Sequence, residues 1–383
     1  MNDADAGIQR VANDGEYDAR GVRVAAFAHG AHDIYPSFIG PLVPQVQDKL
    51  GISLALASLM VPAQQLPSVF QPFIGYLADR TSRRWFVVLS PGVAAVSLSS
   101  IGLAPNIAVV LMLLFVSGLA SATFHAPAVA LVGEFGGNRM GRAMSIFMAG
   151  GEVSRTVGPL LITGAIALLT LEGSFVVMVV GLAASVILYL TLDTRAADAR
   201  RLSAPKFDLR PLLRARRKPI AGILGFTIVT GIATMPFHYF LVKFLVEQGH
   251  SVWYGGIALS TLFASGIVGG LIGGTLSDRY GRQWVLGLSV GLAPPLLYLY
   301  LLLEDGSIAV LTLLFVTGIS SPRASPPSGS ASSPTPLGSP PSSTTSRSSG
   351  SSRCHSSRYS LVAAPQIACR TVNEQADLGQ CWM

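Results

Sequence analysis

Charge and cysteine are scarce in this chain, and each scarcity argues against a class of protein. Only 12% of the 383 residues are Asp, Glu, Lys or Arg, whereas 50% are hydrophobic. Soluble globular domains usually carry about 25% charged residues, so the composition argues against a soluble protein. The three cysteines, Cys354, Cys369 and Cys381, all lie near the C-terminus. The hydrophobic part of the chain therefore has neither a disulfide framework nor a thiolate metal site.

Motifs for several kinds of chemistry are also missing. The sequence has no glycine-rich phosphate loop ending in Lys-Ser or Lys-Thr, which argues against direct use of ATP. It has no His-x-x-x-His or Cys-x-x-Cys spacing that would indicate a metal site. We therefore predict that the protein is not an enzyme and that it holds no metal or other cofactor. The net charge of +7 does not indicate a nucleic-acid partner, because the Lys and Arg residues lie in short segments between apolar runs.

Those apolar runs are long enough to cross a bilayer as helices, which takes about 20 residues. The polar residues before the first run do not have the pattern of a cleaved signal peptide. We predict helices at 23–46, 53–78, 84–104, 107–134, 140–168, 172–192, 219–246, 252–277 and 283–303. The predicted domains are a cytoplasmic tail (1–22), a six-helix bundle (23–192), a basic cytoplasmic linker (193–218), a partial second bundle (219–320) and a disordered Ser/Pro-rich tail (321–383).

The distribution of positive charge predicts the orientation of these helices. With the N-terminus in the cytoplasm, the inner segments hold 19 Lys or Arg residues, nine of them in the linker. The outer loops then hold one, Lys49. Cytoplasmic loops of membrane proteins carry an excess of Lys and Arg, so we predict a multi-pass protein with a cytoplasmic N-terminus.

One basic segment occurs twice, at a constant offset of 199 residues. Gly, Leu, Asp, Arg, Arg and Trp match at six of the eleven positions of 75–85 and 274–284. Such a repeat predicts a chain built from two similar halves. We expect Gly75 to permit a close backbone approach and Asp79 to pair with Arg80 or Arg83. The conserved-type positions of the second copy are Gly274, Asp278, Arg279 and Arg282. If this segment only set the orientation of the helices in the membrane, that would explain its arginines but not the repeated Gly, Asp and Trp.

Ionisable residues inside membrane helices are costly, so each one is a functional candidate. The first predicted helix carries His29, His32 and Asp33, and His29 and Asp33 share a face because they are four residues apart. Three prolines follow, so we expect this helix to be bent. Asp33 is our first candidate for the proton carrier, facing a central cavity. The alternative is that its carboxylate only satisfies neighbouring backbone or hydroxyl groups between helices.

Two further helices carry candidates. In the fourth, His125 can change charge near neutral pH, or it can simply pack in its neutral form. In the fifth, Glu152 and Arg155 are three residues apart and can pair on one face. Such a pair could exchange partners with a proton or substrate, or it could be structural and self-neutralised. His238 is a weaker candidate in the seventh helix, and Lys243 is expected to extend towards the outer surface.

The repeated pattern G-x-L-x-D-R-x-x-R resembles the loop between helices two and three of major facilitator transporters, and its copy between helices eight and nine. Segments 27–35, 71–80 and 124–125 resemble the fosmidomycin-resistance branch of that superfamily. The resemblance covers about residues 24–320. It implies an all-α fold with a complete N-terminal six-helix bundle, a truncated C-terminal bundle and a cavity between them. It also implies a proton-driven drug exporter of the bacterial inner membrane.

Three positions depart from the pattern of the superfamily. Ser154 occupies the first glycine position of the antiporter motif G-x-x-x-G-P in the fifth helix, and Ser82 replaces the glycine usual in the repeated loop. Leu114 stands where many proton antiporters have Arg, so that coupling residue cannot be assigned here.

The functional prediction is proton-coupled efflux of a small, amphipathic or anionic drug-like compound, with Asp33 as proton carrier and His125 as substrate contact. The expected partners are lipid, protons and the small molecule, and we expect a monomer. One alternative is a metabolite uptake symporter of the same superfamily, for which the serine in the antiporter motif is the reason. The other is a truncated remnant that does not transport.

A tenth helix begins near Ser307 but stays apolar for only about 12 residues. Residues 321–360 contain 17 Ser and 7 Pro, a composition that indicates disorder. Because the change falls inside a helix, we expect residues after about Ser320 to come from a shifted reading frame. The alternative is a natural disordered tail. Resequencing codons 315–325 distinguishes the two.

Overall fold

The computed structural model describes residues 16–203 and 217–303, with Thr312 and Phe315, and its regular elements there are helices. We number the α-helices in chain order: α1 (Ala19–Asp33), α2 (Ile39–Leu50), α3 (Leu54–Ala57), α4 (Met60–Gln65), α5 (Gln71–Arg80), α6 (Arg83–Ser99), α7 (Ile107–Gly136), α8 (Met140–Gly173), α9 (Met178–Thr191), α10 (Arg195–Ser203), α11 (Arg217–Glu247), α12 (Val252–Tyr280) and α13 (Arg282–Leu303). Short 3-10 turns join several of them, at Pro36–Phe38, Leu66–Phe70, Ser100–Leu103, Gly137–Arg139 and Ser174–Val177.

The first predicted helix is bent, as expected from its prolines. It consists of α1 and α2 with a 3-10 turn between them that starts at Pro36. The Asp18 side chain caps the start of α1 by accepting from the amides of Arg20 and Gly21. The α2 helix ends at Gly51, which adopts the left-handed conformation that glycine tolerates best. The bend falls directly after Asp33, the last residue of α1.

The second predicted helix is wrong as a single continuous element. Residues 53–78 divide into α3, α4, a 3-10 turn and the first part of α5. Pro62, Pro67 and Pro72 each lack the backbone N–H that a continuous α-helix needs, and Pro67 and Pro72 lie in the first turn of their new segments. The other predicted spans agree with α6–α9 and α11–α13 to within six residues at their ends. The linker also contains a helix that we did not predict, α10.

The α8 helix is the element that connects the two halves of the described chain. It packs along α1 on one side and along α12 on the other, and α2 packs against α11. An apolar cluster around Tyr35, Phe38 and Ile162 lies between these helices. Leu114 of α7 is fully buried in the same cluster, so an apolar residue fills the position where the superfamily often has Arg.

The two copies of the repeated segment form short turns rather than long loops. In the first copy α5 ends at Arg80 and α6 begins at Arg83; in the second, α12 and α13 are separated only by Gly281. Gly281 has φ +91°, a conformation that strains any residue with a Cβ. Its counterpart Ser82 has φ −118°. The first turn therefore does not need the glycine, which explains the serine.

The surface of the described helices is apolar. Three helical stretches are long and apolar enough to cross a membrane by length and composition, namely Arg83–Leu103, the 85-residue run Ile107–Thr191 and Val252–Gly270. Large side chains such as Leu168, Leu190 and Ile232 are exposed on helix faces. Large exposed apolar surfaces of this kind mark sites that contact a membrane or another protein. Most of the predicted tenth helix, the tail after Ser320 and all three cysteines lie outside the described residues.

Candidate functional site

Asp33 is the centre of a cluster that joins three helices. Its carboxylate oxygens lie 3.3 Å from Nε2 of His29, 3.5 Å from Nε2 of His125 and 3.2 Å from Nε of Arg155. Asp33 itself is only 4% exposed. The bend after α1 places this carboxylate at the end of a helix, where α7 and α8 can both reach it. The partners of Asp33 are thus ionisable side chains rather than backbone or hydroxyl groups, and its role in transport stays a prediction.

Arg155 contacts two carboxylates on different helices. Besides Asp33 on α1, its guanidinium lies 3.5 Å from Glu152, one turn earlier on α8. The predicted Glu152–Arg155 pair is thus present, but it is not self-contained. The side chains of Arg155 and His125 are each 33% exposed, so they are the parts of the cluster that a ligand can reach first.

Aromatic rings pack around the histidines. His29 stacks on Phe147 with ring centroids 4.2 Å apart, and its Nδ1 atom lies 2.8 Å from the Phe147 carbonyl oxygen. His32 is fully buried and stacks on Phe124 at 4.6 Å. Its ring meets His125 edge-on at 5.6 Å. Three histidines therefore surround Asp33. The sequence places His32 beside His29 and Asp33, but its position on the helix gave no reason to assign it to the proton or substrate path.

Sequence reasoning missed one contributor from the second half of the chain. The hydroxyl of Tyr239 on α11 accepts a 2.6 Å hydrogen bond from Gln65 and lies 3.4 Å from Gln64. This contact joins α11 of the second half to α4 of the first. The weaker candidate His238 packs instead against Phe263. A buried tyrosine in an apolar helix carries no charge signal, so the sequence could not identify it.

Close helix packing holds the cluster in place. A Cβ added at Gly150 or Gly158 of α8 would overlap backbone oxygens of Ala26 or Ile34 in the first span, and at Gly151 it would overlap the His29 ring. Ser154, at the first position of the antiporter motif, faces Gly30 and donates to the Gly151 carbonyl at 2.7 Å. Because Gly30 on the facing helix has no side chain, Ser154 fits between α1 and α8.

The repeated-turn residues form a second, separate ion-pair network. Arg83 is the partner of Asp79, at 2.6 Å, and it also pairs with Glu134 on α7. Arg80 instead lies over the Tyr76 ring, with its guanidinium carbon 4.3 Å from the ring centroid. The expected close approach at Gly75 is wrong, because an added Cβ would stay 3.6 Å from Ala126. The surroundings of Gly274 and the side chains of Asp278 and Arg282 are among those that the structure does not describe.

The cluster also has the composition of a cation site. One ligand atom each from His29, Asp33 and His125 lie within 4.8 Å of one another. The guanidinium of Arg155 contacts the same carboxylate and opposes a divalent metal there. A pocket of about 460 Å³ lined by Leu276, Tyr280, Trp284, Val285 and Leu288 contains none of these residues.

Comparisons with known proteins address the family and the fold of the chain. The model of the Major Facilitator Superfamily matches residues 25–335. A protein of Escherichia coli (strain K12) called Fosmidomycin resistance protein is 25% identical over 276 residues, which cover 70% of this chain and 68% of that protein. The uncharacterized MFS-type transporter YfnC of Bacillus subtilis (strain 168) is 22% identical over 283 residues, with 71% and 69% covered.

Solved structures share the fold at low sequence identity. A bacterial homologue of the human lysosomal transporter Spinster, in an inward-facing and occupied conformation, has a TM-score of 0.60 and 17% identity, covering 78% of this chain and 70% of its own. The nucleoside transporter NupG, solved as a point mutant, has a TM-score of 0.62 and 16% identity, covering 79% and 78%. This similarity confirms the architecture predicted from the repeated segment.

Proposed function

Because the chain belongs to the Major Facilitator Superfamily, we propose that it is a proton-coupled secondary transporter that exports a small drug-like compound across the bacterial inner membrane. The observation that carries the proposal is the contact of one buried carboxylate, Asp33, with two histidines and Arg155. Ionisable residues between membrane helices are costly to bury, so such a group is by default a candidate functional site. The proposed transporter is a monomer, and the distribution of positive charge predicts that its N-terminus lies in the cytoplasm.

Asp33 is the proton carrier in this proposal. When Asp33 is ionised, Arg155 and the histidines stabilise its charge; when it takes up a proton, Arg155 retains Glu152 as a partner at 3.5 Å. The change of partner alters the contact between α1 and α8. Because α8 also packs along α12 of the second half, that change can reach the interface between the two halves.

The substrate approaches through the accessible parts of His125 and Arg155. Tyr239 of α11 contacts Gln65 of α4, so polar groups from both halves meet there. Support for export comes from the relative named for fosmidomycin resistance. Uptake with a proton remains the second candidate, since Ser154 replaces a glycine of the antiporter motif.

Proteoliposomes with an imposed pH gradient test the proposal and its direction. We expect fosmidomycin or an organic cation such as ethidium to accumulate inside inside-out vesicles whose lumen is acidic. Accumulation in the opposite sense would establish uptake symport instead. Absence of transport under either gradient would indicate the non-transporting remnant.

The residue assignment is tested by Asp33→Asn in the same assay. The amide keeps the volume but cannot ionise, so we expect uphill transport to be lost while downhill counterflow persists. Asp48→Asn is the matched control, because Asp48 is exposed at the end of α2. An Asp33→Asn protein that still pumps uphill would exclude Asp33 as the carrier.

A further inference from the structure

The second half of the chain inserts one aromatic side chain into the core of the first. Tyr239 of α11 is 8% exposed and belongs to the apolar cluster around Tyr35, Phe38 and Ile162. Among the described buried residues of that cluster, Tyr239 alone comes from the second half. Its ring is therefore shielded from water only while the two halves are in contact at this level.

The hydroxyl group of Tyr239 is buried with the ring and needs hydrogen-bond partners there. It accepts a hydrogen bond from the carboxamide of Gln65 at 2.6 Å, and it donates to the side-chain oxygen of Gln64 at 3.4 Å. The two glutamines on α4 of the first half thus use both the acceptor and the donor of the phenol. A buried polar group that loses its partners costs more than the hydrogen bond itself contributes.

Close backbone packing fixes both sides of this contact. A Cβ added at Gly118 of α7 would overlap the carbonyl oxygen of Gln64, so α4 lies directly against α7. A Cβ added at Gly40 of α2 would lie 2.8 Å from the carbonyl oxygen of His238, the residue before Tyr239. The backbones on both sides therefore hold the hydroxyl and the glutamines in position, and a movement of α11 away from the first half breaks their hydrogen bonds.

This contact lies towards the end of the molecule that the charge distribution predicts to face outwards. Tyr239 is in the C-terminal part of α11, and Thr163, which faces Gly256 of the other half, is in the C-terminal part of α8. Towards the opposite end of α12, a Cβ added at Gly270 would meet no described atom within 4 Å. The structure therefore shows the halves in contact at the predicted outer end.

We propose that Tyr239, Gln64 and Gln65 form a polar latch between the halves, which favours the state in which the predicted outer end is closed. When the halves separate there, the hydroxyl and the carboxamides exchange each other for water, and the ring leaves the apolar cluster. The latch sets the fraction of molecules that are open at that end, whichever compound is carried and in whichever direction. The inference therefore goes beyond the proposed function and does not depend on Asp33.

Cysteine labelling of the full-length chain measures that open fraction without any substrate. The parent has Cys354, Cys369 and Cys381 replaced by Ser, and the reporter is Thr163→Cys, because Thr163 is 2% exposed and faces Gly256. A water-soluble maleimide then reacts when the halves separate, at a rate proportional to the open fraction. The reporter lies between α8 and α12, away from the latch, so it does not respond to local loosening around the latch.

We expect Tyr239→Phe to raise the labelling rate of the reporter about fivefold, the effect of losing about one hydrogen bond from the closed state. The phenyl ring keeps the packing of the tyrosine, and thermal unfolding in detergent checks that the variant is folded. Tyr300→Phe is the matched control, because it removes a buried hydroxyl from inside the second half. An unchanged rate in Tyr239→Phe, or an equal increase in the control, would overturn the latch.

A double-mutant cycle tests the partners of the hydroxyl. Gln64→Met with Gln65→Met removes both carboxamides at similar side-chain volume, so we expect this pair of substitutions to raise the labelling rate by itself. Tyr239→Phe in that background should give no further increase, because the hydroxyl has already lost its partners. A further increase of about fivefold would show that Tyr239 acts through packing alone, which contradicts the latch.

The labelling result and the proposed export stand or fall separately. A fivefold difference in labelling in a protein that carries nothing uphill supports the latch and contradicts export. Uphill transport by a protein whose labelling is unaffected by Tyr239→Phe supports export and contradicts the latch.

Discussion

At the scale of single residues, Arg155 decides whether the cluster is stable. Its guanidinium places a positive charge beside Asp33 and Glu152, and this charge does not depend on protonation of a histidine. Removing one partner of a buried charge cluster leaves the others without compensation, at a cost of about 3–5 kcal/mol in fully buried cases. Arg155 is one third exposed, so solvent screens part of that cost.

We expect Arg155→Ala to destabilise the protein by about 2 kcal/mol. Thermal unfolding in detergent measures the change. The matched double variant Arg155→Ala with Glu152→Gln removes one of the stranded charges, so part of the lost stability should return. An Arg155→Ala protein as stable as the parent would show that the pairs contribute nothing.

Arg83 shows the same chemistry in a different role. It is nearly buried and joins α5 to α7 through Asp79 and Glu134, whereas the neighbouring Arg80 is exposed. The two arginines of the repeated pattern thus differ in function. One fixes the packing of helices beside the turn, and the other contributes positive charge at a surface predicted to face the cytoplasm.

At the scale of helices, the contact between α1 and α8 sets the geometry of the site. Gly150 and Gly158 contact the backbone of the first span so closely that no Cβ fits at either position. Close approach through small residues is a common way for membrane helices to associate. The spacing between Asp33 and Arg155 therefore depends on residues that carry no chemistry themselves.

We expect Gly150→Ala to separate α1 from α8, because the added methyl group would overlap the Ala26 carbonyl. Overpacking of this kind costs about 1–3 kcal/mol, so both thermal stability and uphill transport should fall. Gly164→Ala is the control on the same helix, since its Cβ would lie 3.5 Å from Trp253 in ordinary contact. Equal effects of the two substitutions would contradict this account.

At the scale of the whole molecule, the described halves meet along α8 and α12. Near the end predicted to face outwards, a Cβ at Gly256 would lie 3.3 Å from the Cβ of Thr163. Disulfides join Cβ atoms about 3.5–4.5 Å apart, so a small adjustment would permit one here. Transport requires such contacts to open and close in turn.

We expect the double variant Thr163→Cys with Gly256→Cys to lose transport on oxidation and to recover it on reduction. The parent for this test has Cys354, Cys369 and Cys381 replaced by Ser, so that no other thiol interferes. Thr163→Cys alone and the reduced double variant serve as controls, and both should transport. Full activity of the cross-linked double variant would show that these helices do not separate at that end during transport.

Much of the architecture could be predicted from the sequence because lipid imposes strict requirements on it. Apolar length predicted where most spans lie, and the repeated segment predicted two related halves. The prediction of one continuous helix for the second span was wrong. An apolar composition cannot show that Pro62, Pro67 and Pro72 divide a helix into segments that stay in line. The predicted domain limits and orientation stay predictions.

The sequence by itself determined which residues could carry charge inside the membrane, since His29, Asp33, His125, Glu152 and Arg155 stand out against their apolar surroundings. The three helices that carry them are far apart along the chain, so only tertiary packing could decide that they meet at one carboxylate. The hydrogen-bond partner of His29 is a carbonyl of α8, and the Tyr239 hydroxyl that contacts Gln65 comes from a helix of the other half. A charge that is costly to bury can be recognised from the sequence around it. The partners of that charge depend on how the helices pack, which no local sequence pattern shows.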